Sequence, residues 1–282
     1  MKTKIVYSPK CLEYGQLSLT ENSIRVEKAV KILAKKKFDF VEPQPCQDQD
    51  LLTAHEPGYV EMVKKGTVED ADSPATDNIY EYAKLAVGGA ILASKIGGFS
   101  LMRPPGHHAG IKGAALRVST RGFCYFNNIA IAVRRTGKTT LILDIDGHHG
   151  NGTEEIFLGD DKVTYLSLHR FNAYPGTGIE SRQNCVNVPL DANCGNEMYL
   201  AALKSALASL DLKKFDQVAV SAGFDTHDGD LVSLALDQSA FLWIGQQIAR
   251  LNKPTFFVFE GGYNGRYVGE DINELLNGFE EG

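Results

Sequence analysis

A chain of 282 residues with 43% hydrophobic content is long enough to bury one large core, and α/β domains reach this size without dividing. The formal net charge of −6 gives no general attraction to nucleic acid or acidic lipid and argues against direct nucleic-acid binding. The five cysteines are odd in number and include no Cys-x-x-Cys, so neither a disulfide framework nor a thiolate metal site is indicated.

The N-terminal stretch MKTKIVYSPK has no apolar h-region, and no run approaches the roughly 18 residues of a membrane span. A soluble cytoplasmic protein is expected. In chain order, the strand-like run KIVY at 4–7 precedes a helical period over 23–36, and FDFV at 38–41 precedes a helix over 78–95. FSLM at 99–102, a helix over 127–135 and the runs TTLILDI at 139–145, VTYLSLH at 163–169 and CVNVPL at 185–190 follow. A helix over 197–210, QVAVSAG at 217–223, a helix over 237–251, TFFVFEG at 255–261 and a helix over 268–279 complete the series. The later strands are continuously apolar, as parallel strands covered on both faces must be, and their alternation with helices predicts an α/β fold of βαβ units. No repeat and no linker divides the chain, so residues 1–282 are expected to form one domain.

Ligands of open parallel sheets gather at the carboxyl ends of the strands. Here RPPGHH, DIDGHHGNG, LHRFNAYPGTG, AGFDTHDGD and EGGYN each follow a strand-like run, so their polar side chains should meet on one rim. The stretch 103–122 reads as a long functional loop. TGKTT at 136–140 lacks the glycine of a phosphate loop and precedes a strand instead of following one. NGT at 151–153 is a chance acceptor match in a chain without a signal peptide. HEPGY at 55–59 lacks the second histidine of a metalloprotease site, which leaves His55 as a helix-start or packing residue.

On an extended chain residues i and i+2 face the same way. Asp144, Asp146 and His148 therefore share one side of DIDGHHGNGT, and Asp146 and His148 can grip one ion. Asp225, at the end of another strand, is the candidate third ligand. Two carboxylates and one imidazole leave positions for water and substrate, as in a catalytic metal site. Zinc is the first choice and ferrous iron the alternative. Asp144 stands one step deeper, where it can hold a histidine or, through main-chain oxygens, a monovalent cation. His149 should point away as a structural histidine. The tandem His107 and His108, stiffened by two prolines, offer a base and a neighbour that tunes it. Tyr263, after two glycines, can donate to a developing oxyanion.

Taken together, RPPGHHAG…GFCYFNN, DIDGHHGNGTEEIF, SLHRF…YPGTG, SAGFD and EGGYN resemble the zinc-dependent histone deacetylases, acetylpolyamine amidohydrolases and acetoin-utilisation proteins of the arginase/deacetylase superfamily. The resemblance implies a three-layer α/β/α fold around a mostly parallel sheet of about eight strands, and an amidohydrolase acting on linear amide C–N bonds. It implies Asp146, His148 and Asp225 as zinc ligands, His108 as general base with His107 beside it, and Tyr263 as oxyanion donor. Asp144 would pair with His107, and Asn151 with His108. Gly122, Phe123, Tyr174 and Gly262 would line a tunnel for an acyl-lysine-like chain, and Asp72 in DSPAT would contact substrate at the rim. A structural potassium ion would sit among Asp144, Asp146, His148, Ser167 and Leu168.

Two departures stand out. Asn151 is a neutral partner for His108 where some relatives carry aspartate, and LTEN at 19–22 replaces the usual HPE, which puts an outer-surface or assembly role of that segment in question. Arg25 is expected to reach the buried end of the site. The expected substrate is an acylated lysine or acylated polyamine, and the oligomeric state is left open. Two rivals are weighed: a binuclear ureohydrolase using His227, Asp228 and Asp230 after Asp225, and a non-catalytic acyl-ligand sensor.

Overall fold

The computed structural model describes residues 2–15, 19–73 and 76–282; Pro74 and Ala75 of the DSPAT motif lie outside them. Among the described residues, eight parallel strands form one sheet: β1 (Ile5–Val6), β2 (Phe40–Val41), β3 (Phe99–Ser100), β4 (Thr140–Asp144), β5 (Val163–Arg170), β6 (Cys185–Leu190), β7 (Gln217–Ala222) and β8 (Thr255–Phe259). Their order is β2-β1-β3-β8-β7-β4-β5-β6, so the last two strands in sequence fill the gap between β3 and β4. The helices are α1 (Ile24–Lys35), α2 (Asp48–Leu51), α3 (Pro57–Lys64), α4 (Ile79–Ile96), α5 (Asn128–Thr136), α6 (Asn151–Phe157), α7 (Gly195–Ala208), α8 (Gln238–Ala249) and α9 (Val268–Glu281). Each expected strand and each expected helix is present within a few residues of its expected bounds. α2, α3 and α6 were not expected.

Strand alternation divides the apolar side chains into two cores, one on each face of the sheet. Leu141, Leu143, Leu166, Val218, Val220, Phe257 and Phe259 point to the face covered by α1, α7, α8 and α9, where Val26, Leu203, Phe241 and Leu275 meet them. Ile142, Tyr165, Ala219, Phe256 and Val258 point to the other face and pack on Val60 of α3, Val87 of α4, Ile129 of α5 and Ile156 of α6. The result is the expected α/β/α sandwich. No helix among the described residues is long and apolar enough to cross a membrane.

The strands that carry the polar clusters, β3, β8, β7, β4 and β5, are contiguous in the sheet. All strands are parallel, so their following loops emerge on the same edge. This adjacency converts five separated sequence motifs into one site.

Candidate active site

A cavity of about 420 Å³ opens at that edge, lined by Asp72, His108, Gly122, Phe123, His148, Arg170, Asn172, Ala173, Tyr174, Leu231, Val232 and Tyr263. At its floor, ligand atoms of Asp146, His148 and Asp225 lie within 4.8 Å of one another, a group that could hold a metal ion. Short backbone bonds aim the carboxylates. Asp146 accepts from His148 N (2.9 Å, Oδ1) and Gly261 N (2.6 Å, Oδ2), and Asp225 Oδ1 accepts from Gly147 N (2.8 Å). A Cβ at Gly261 would collide with both carboxylates, so the missing side chain lets the β8 loop close over them.

The donor set fits a cation. Asp146 and Asp225 are completely buried, and among the described residues Asp225 Oδ2 has no hydrogen-bond partner, although His148 Nδ1 lies 2.8 Å from it. Nδ1 also lies 3.1 Å from Asp146 Oδ1, so the imidazole and both carboxylates converge on a common centre. Burial and the neighbouring Asp146 carboxylate push Asp225 up to about 6. Against burial, His107 and His148 hold Asp146 well below the usual carboxylate range. Burial disfavours a charged His148, yet Asp225 and Asp146 outweigh it and raise the imidazole to about 10. A divalent ion would relieve this crowding of buried charge directly.

The tandem histidines lie beside this group, ring centroids 4.1 Å apart and planes tilted by 52°. His107 Nδ1 lies 3.2 Å from Asp144 Oδ2, which also accepts from the Tyr165 hydroxyl at 2.9 Å. Burial opposes charge on His107, but Asp146 and Asp144 push it up to about 10. His108 is held well below the ordinary range by burial and by its neighbours His107 and His148. Its Nδ1 lies 2.7 Å from Asn151 Oδ1, while Asn151 Nδ2 donates to Ala115 O at 3.1 Å. A carbonyl can only accept, so the amide orientation is fixed and its oxygen faces His108. The imidazole must then donate from Nδ1, leaving the lone pair on Nε2.

Tyr263 lines the same cavity, with its ring edge-on to Phe123 (5.7 Å) and under the Arg25 guanidinium (4.8 Å). Arg25 thus reaches the buried end of the site and also donates to Glu260 O. Gly122 and Phe123 both have positive φ (49° and 69°). A bulky residue rarely adopts this conformation; here it turns the Phe123 ring into the wall. A Cβ on Gly122 would press on His108 and Tyr174. Tyr174 stands edge-on to His108, and the Thr120 hydroxyl donates to its phenolic oxygen at 2.9 Å.

Other expected residues take the following places. Asp72 lies at the cavity mouth. Gly262 is not among the residues that line the cavity; its φ is 112°, and a Cβ built there would lie 3.1 Å from Phe224 and Val268 atoms. Ser167 sits beside Asp144 in the β4–β5 register, its hydroxyl 2.8 Å from His169 Nδ1, and Leu168 is buried in the core. His149 points away as expected and contacts Thr177 Oγ1 (2.8 Å) and Glu154 Oε2 (3.0 Å). His55 precedes α3 and packs inside.

His227 pairs with Asp271 at 2.9 Å, Asp228 is exposed, and Asp230 binds backbone N–H groups. None of the three joins the Asp146, His148 and Asp225 group. Residues without an earlier assignment are Arg170 at the mouth, Glu260, whose carboxylate accepts from Gly106 N (2.7 Å) and His107 N (3.1 Å), and Glu21. Glu21 of LTEN is buried and holds Arg103 and Arg25, while Leu19 is exposed, so Glu21 braces the interior from a segment that also faces solvent. EGGYN contained Glu260 in plain view, but nothing in the spacing singled it out.

Residues 19–279 match the histone deacetylase domain model. The chain is 34% identical over 304 aligned residues to a probable deacetylase of Methanothermobacter thermautotrophicus, covering 98% of this chain and 90% of that one. It is 36% identical to acetylpolyamine amidohydrolase 1 of Pseudomonas aeruginosa over 64% of this chain and 55% of that one. The solved HD domain of HDA15 superposes with a TM-score of 0.88 at 29% identity, covering 97% of this chain and 90% of that one. The chain belongs to the histone deacetylase domain family.

Proposed function

We propose that the protein is a metal-dependent amidohydrolase that removes acetyl or other acyl groups from amines, with the acyl-lysine side chain of a protein or peptide as substrate. One observation carries this reading: a single cavity joins the Asp146, His148 and Asp225 group, an imidazole with a fixed tautomer at His108, and the phenol of Tyr263. The family match over residues 19–279 supports it and supports reading residues 1–282 as one catalytic domain. Zinc is the assigned ion and ferrous iron the alternative, because carboxylate and imidazole ligands discriminate weakly between them.

The bound ion supplies Lewis acidity toward the acyl carbonyl and the attacking water. Asp146, His148 and Asp225 would hold it. His108 accepts the water proton at Nε2, the nitrogen left free by Asn151. Buried and close to the His107 ring, centroids 4.1 Å apart, the protonated ring is poorly stabilised and returns that proton to the departing amine. Tyr263 donates its hydroxyl proton in a hydrogen bond to the developing oxyanion. Gly122, Phe123 and Tyr174 wall the acyl-bearing chain and exclude water. We also assign a structural potassium ion to the oxygens of Asp144, Asp146, His148, Ser167 and Leu168, supported by the adjacency of Asp144 and Ser167.

One observation favours a second substrate reading. The Asp72 carboxylate at the mouth has no basic partner among the described residues, which suits an acetylated polyamine. Arg170 on the same mouth opposes a polycation and favours a peptide. The test is turnover by zinc-loaded protein on acetyl-lysine peptides, acetylated polyamines and longer acyl-lysines, measured side by side with metal content. Fastest turnover on the peptides is expected. Preference for the polyamines would replace the substrate reading, and inertness on every substrate with one metal bound would revive the sensor reading.

A further inference from the structure

Tyr263 is useful only if its phenol is held at a fixed distance from the Asp146, His148 and Asp225 group, yet it lies in a segment without regular structure between β8 and α9. The upstream half of that segment is anchored by Glu260, which accepts from Gly106 and His107, and by Gly261 N, which donates to Asp146. Gly262 then interrupts the transmission of that order, because φ of 112° marks a backbone with few steric limits. Tyr263 therefore needs an anchor of its own.

Asp230 provides it. Its Oδ1 accepts from Tyr263 N (3.1 Å) and Leu231 N (2.6 Å), and its Oδ2 accepts from Tyr263 N (3.0 Å) and Asn264 N (2.8 Å). Among the described residues, no other side chain holds the Tyr263 backbone N–H. Every contact requires an acceptor, so a carboxylate fits and an amide would turn its own N–H groups against one side. The same loop begins at Asp225. It is closed by Asp230 N donating to His227 O (3.1 Å) and Val232 N donating to Asp225 O (3.3 Å). One short loop thus sets both a proposed metal ligand and the residue that holds the phenol.

We infer that Asp230 is a positioning residue for catalysis, acting through the backbone of Tyr263 to fix the phenol relative to the metal group. This rests on the proposed amidohydrolase function and assigns no contact between Asp230 and substrate. A displacement of about 1 Å in a reacting group can cost about 10² in rate. Because Tyr263 acts in the transition state, the loss should fall on kcat and leave KM unchanged.

The experiment is a double-mutant cycle in zinc-loaded protein with an acetyl-lysine peptide, using Asp230→Asn, Tyr263→Phe and their combination. Metal stoichiometry and melting temperature are measured on each. Asp230→Asn is expected to lower kcat about 10- to 100-fold with KM, metal content and melting near wild type. In the Tyr263→Phe background the same substitution should cost less than about twofold, since the phenol it positions is already gone. Asp228→Asn, an exposed change on the same loop, should leave kcat unchanged. Equal losses in both backgrounds, lost metal, or an unchanged kcat in Asp230→Asn would overturn the inference. If Asp230→Asn does not fold, Asp230→Ser, which keeps one acceptor, enters the same cycle with the same criteria. A crippled Tyr263→Phe beside an active Asp230→Asn removes Asp230 alone; an active Tyr263→Phe removes the oxyanion assignment and Asp230 with it.

Discussion

Tyr263→Phe removes one hydroxyl and leaves a ring that still fits between Phe123 and Arg25. Loss of one placed oxyanion donor typically lowers turnover by about 10²–10³. The expected outcome is a kcat reduced by that factor with metal content unchanged, measured by steady-state kinetics and metal analysis; a wild-type kcat would exclude Tyr263 from the chemistry. At this scale the sequence was legible where chemistry follows from alternation. Asp146 and His148 share a face, Asp144 lies behind them against His107, and His149 turns elsewhere. It was not legible where a residue works through backbone atoms. Asp230 and Glu260 bind N–H groups of loops far away in sequence, and no spacing rule links a carboxylate to a distant amide. Glu21 escaped for a related reason: its importance comes from two arginines that only the fold brings to it.

Among the elements, the long helices and apolar strands carried strong periodic signals, whereas α2, α3 and α6 span four, eight and seven residues, too few turns for periodicity to register. Pro57 at the first turn of α3 was the available start signal. His55, just before that helix, connects three segments. Asn127 N donates to its Nε2 (2.9 Å) and its Nδ1 faces Gly110 O (2.8 Å), so the neutral ring donates from Nδ1 and accepts at Nε2. Protonation would set two N–H groups against each other. Burial lowers His55 from 6.5 to about 4. Between those values the unfolded chain binds more protons than the folded one. His55 therefore contributes stability above pH 6.5 that is lost as pH falls toward 4, amounting to about 3 kcal/mol across the window. Thermal unfolding at pH 7.5 and pH 5 should show a smaller acid-induced loss for His55→Gln than for wild type. Parallel losses in the two proteins would show that His55 does not carry this pH dependence.

For the molecule as a whole, the sequence announced five polar clusters at strand ends but not which strands are neighbours. Nothing local says that β7 and β8 insert between β3 and β4, because strand order is decided by packing between remote segments. That insertion has an energetic consequence. The proposed ligands Asp146 and His148 follow β4 and Asp225 follows β7, adjacent strands near the middle of the sheet, so an ion held by all three would link the loops of the central strands. The buried carboxylates also repel each other without it, as the raised Asp225 indicates. Metal that binds only the folded chain stabilises it by RT ln(1 + [L]/Kd), about 4 kcal/mol at a thousandfold excess over Kd. Chelator-treated protein should accordingly melt at a lower temperature, and zinc added in steps should raise that temperature progressively, saturating near one ion per chain. Asp225→Ala should abolish most of the zinc-dependent rise, while Asp271→Asn, which alters a carboxylate bound to His227 and outside the ligand group, should retain it. A zinc-dependent rise of equal size in Asp225→Ala would place the stabilising ion elsewhere, and saturation at two ions per chain would favour the binuclear arrangement over the single ion assigned here.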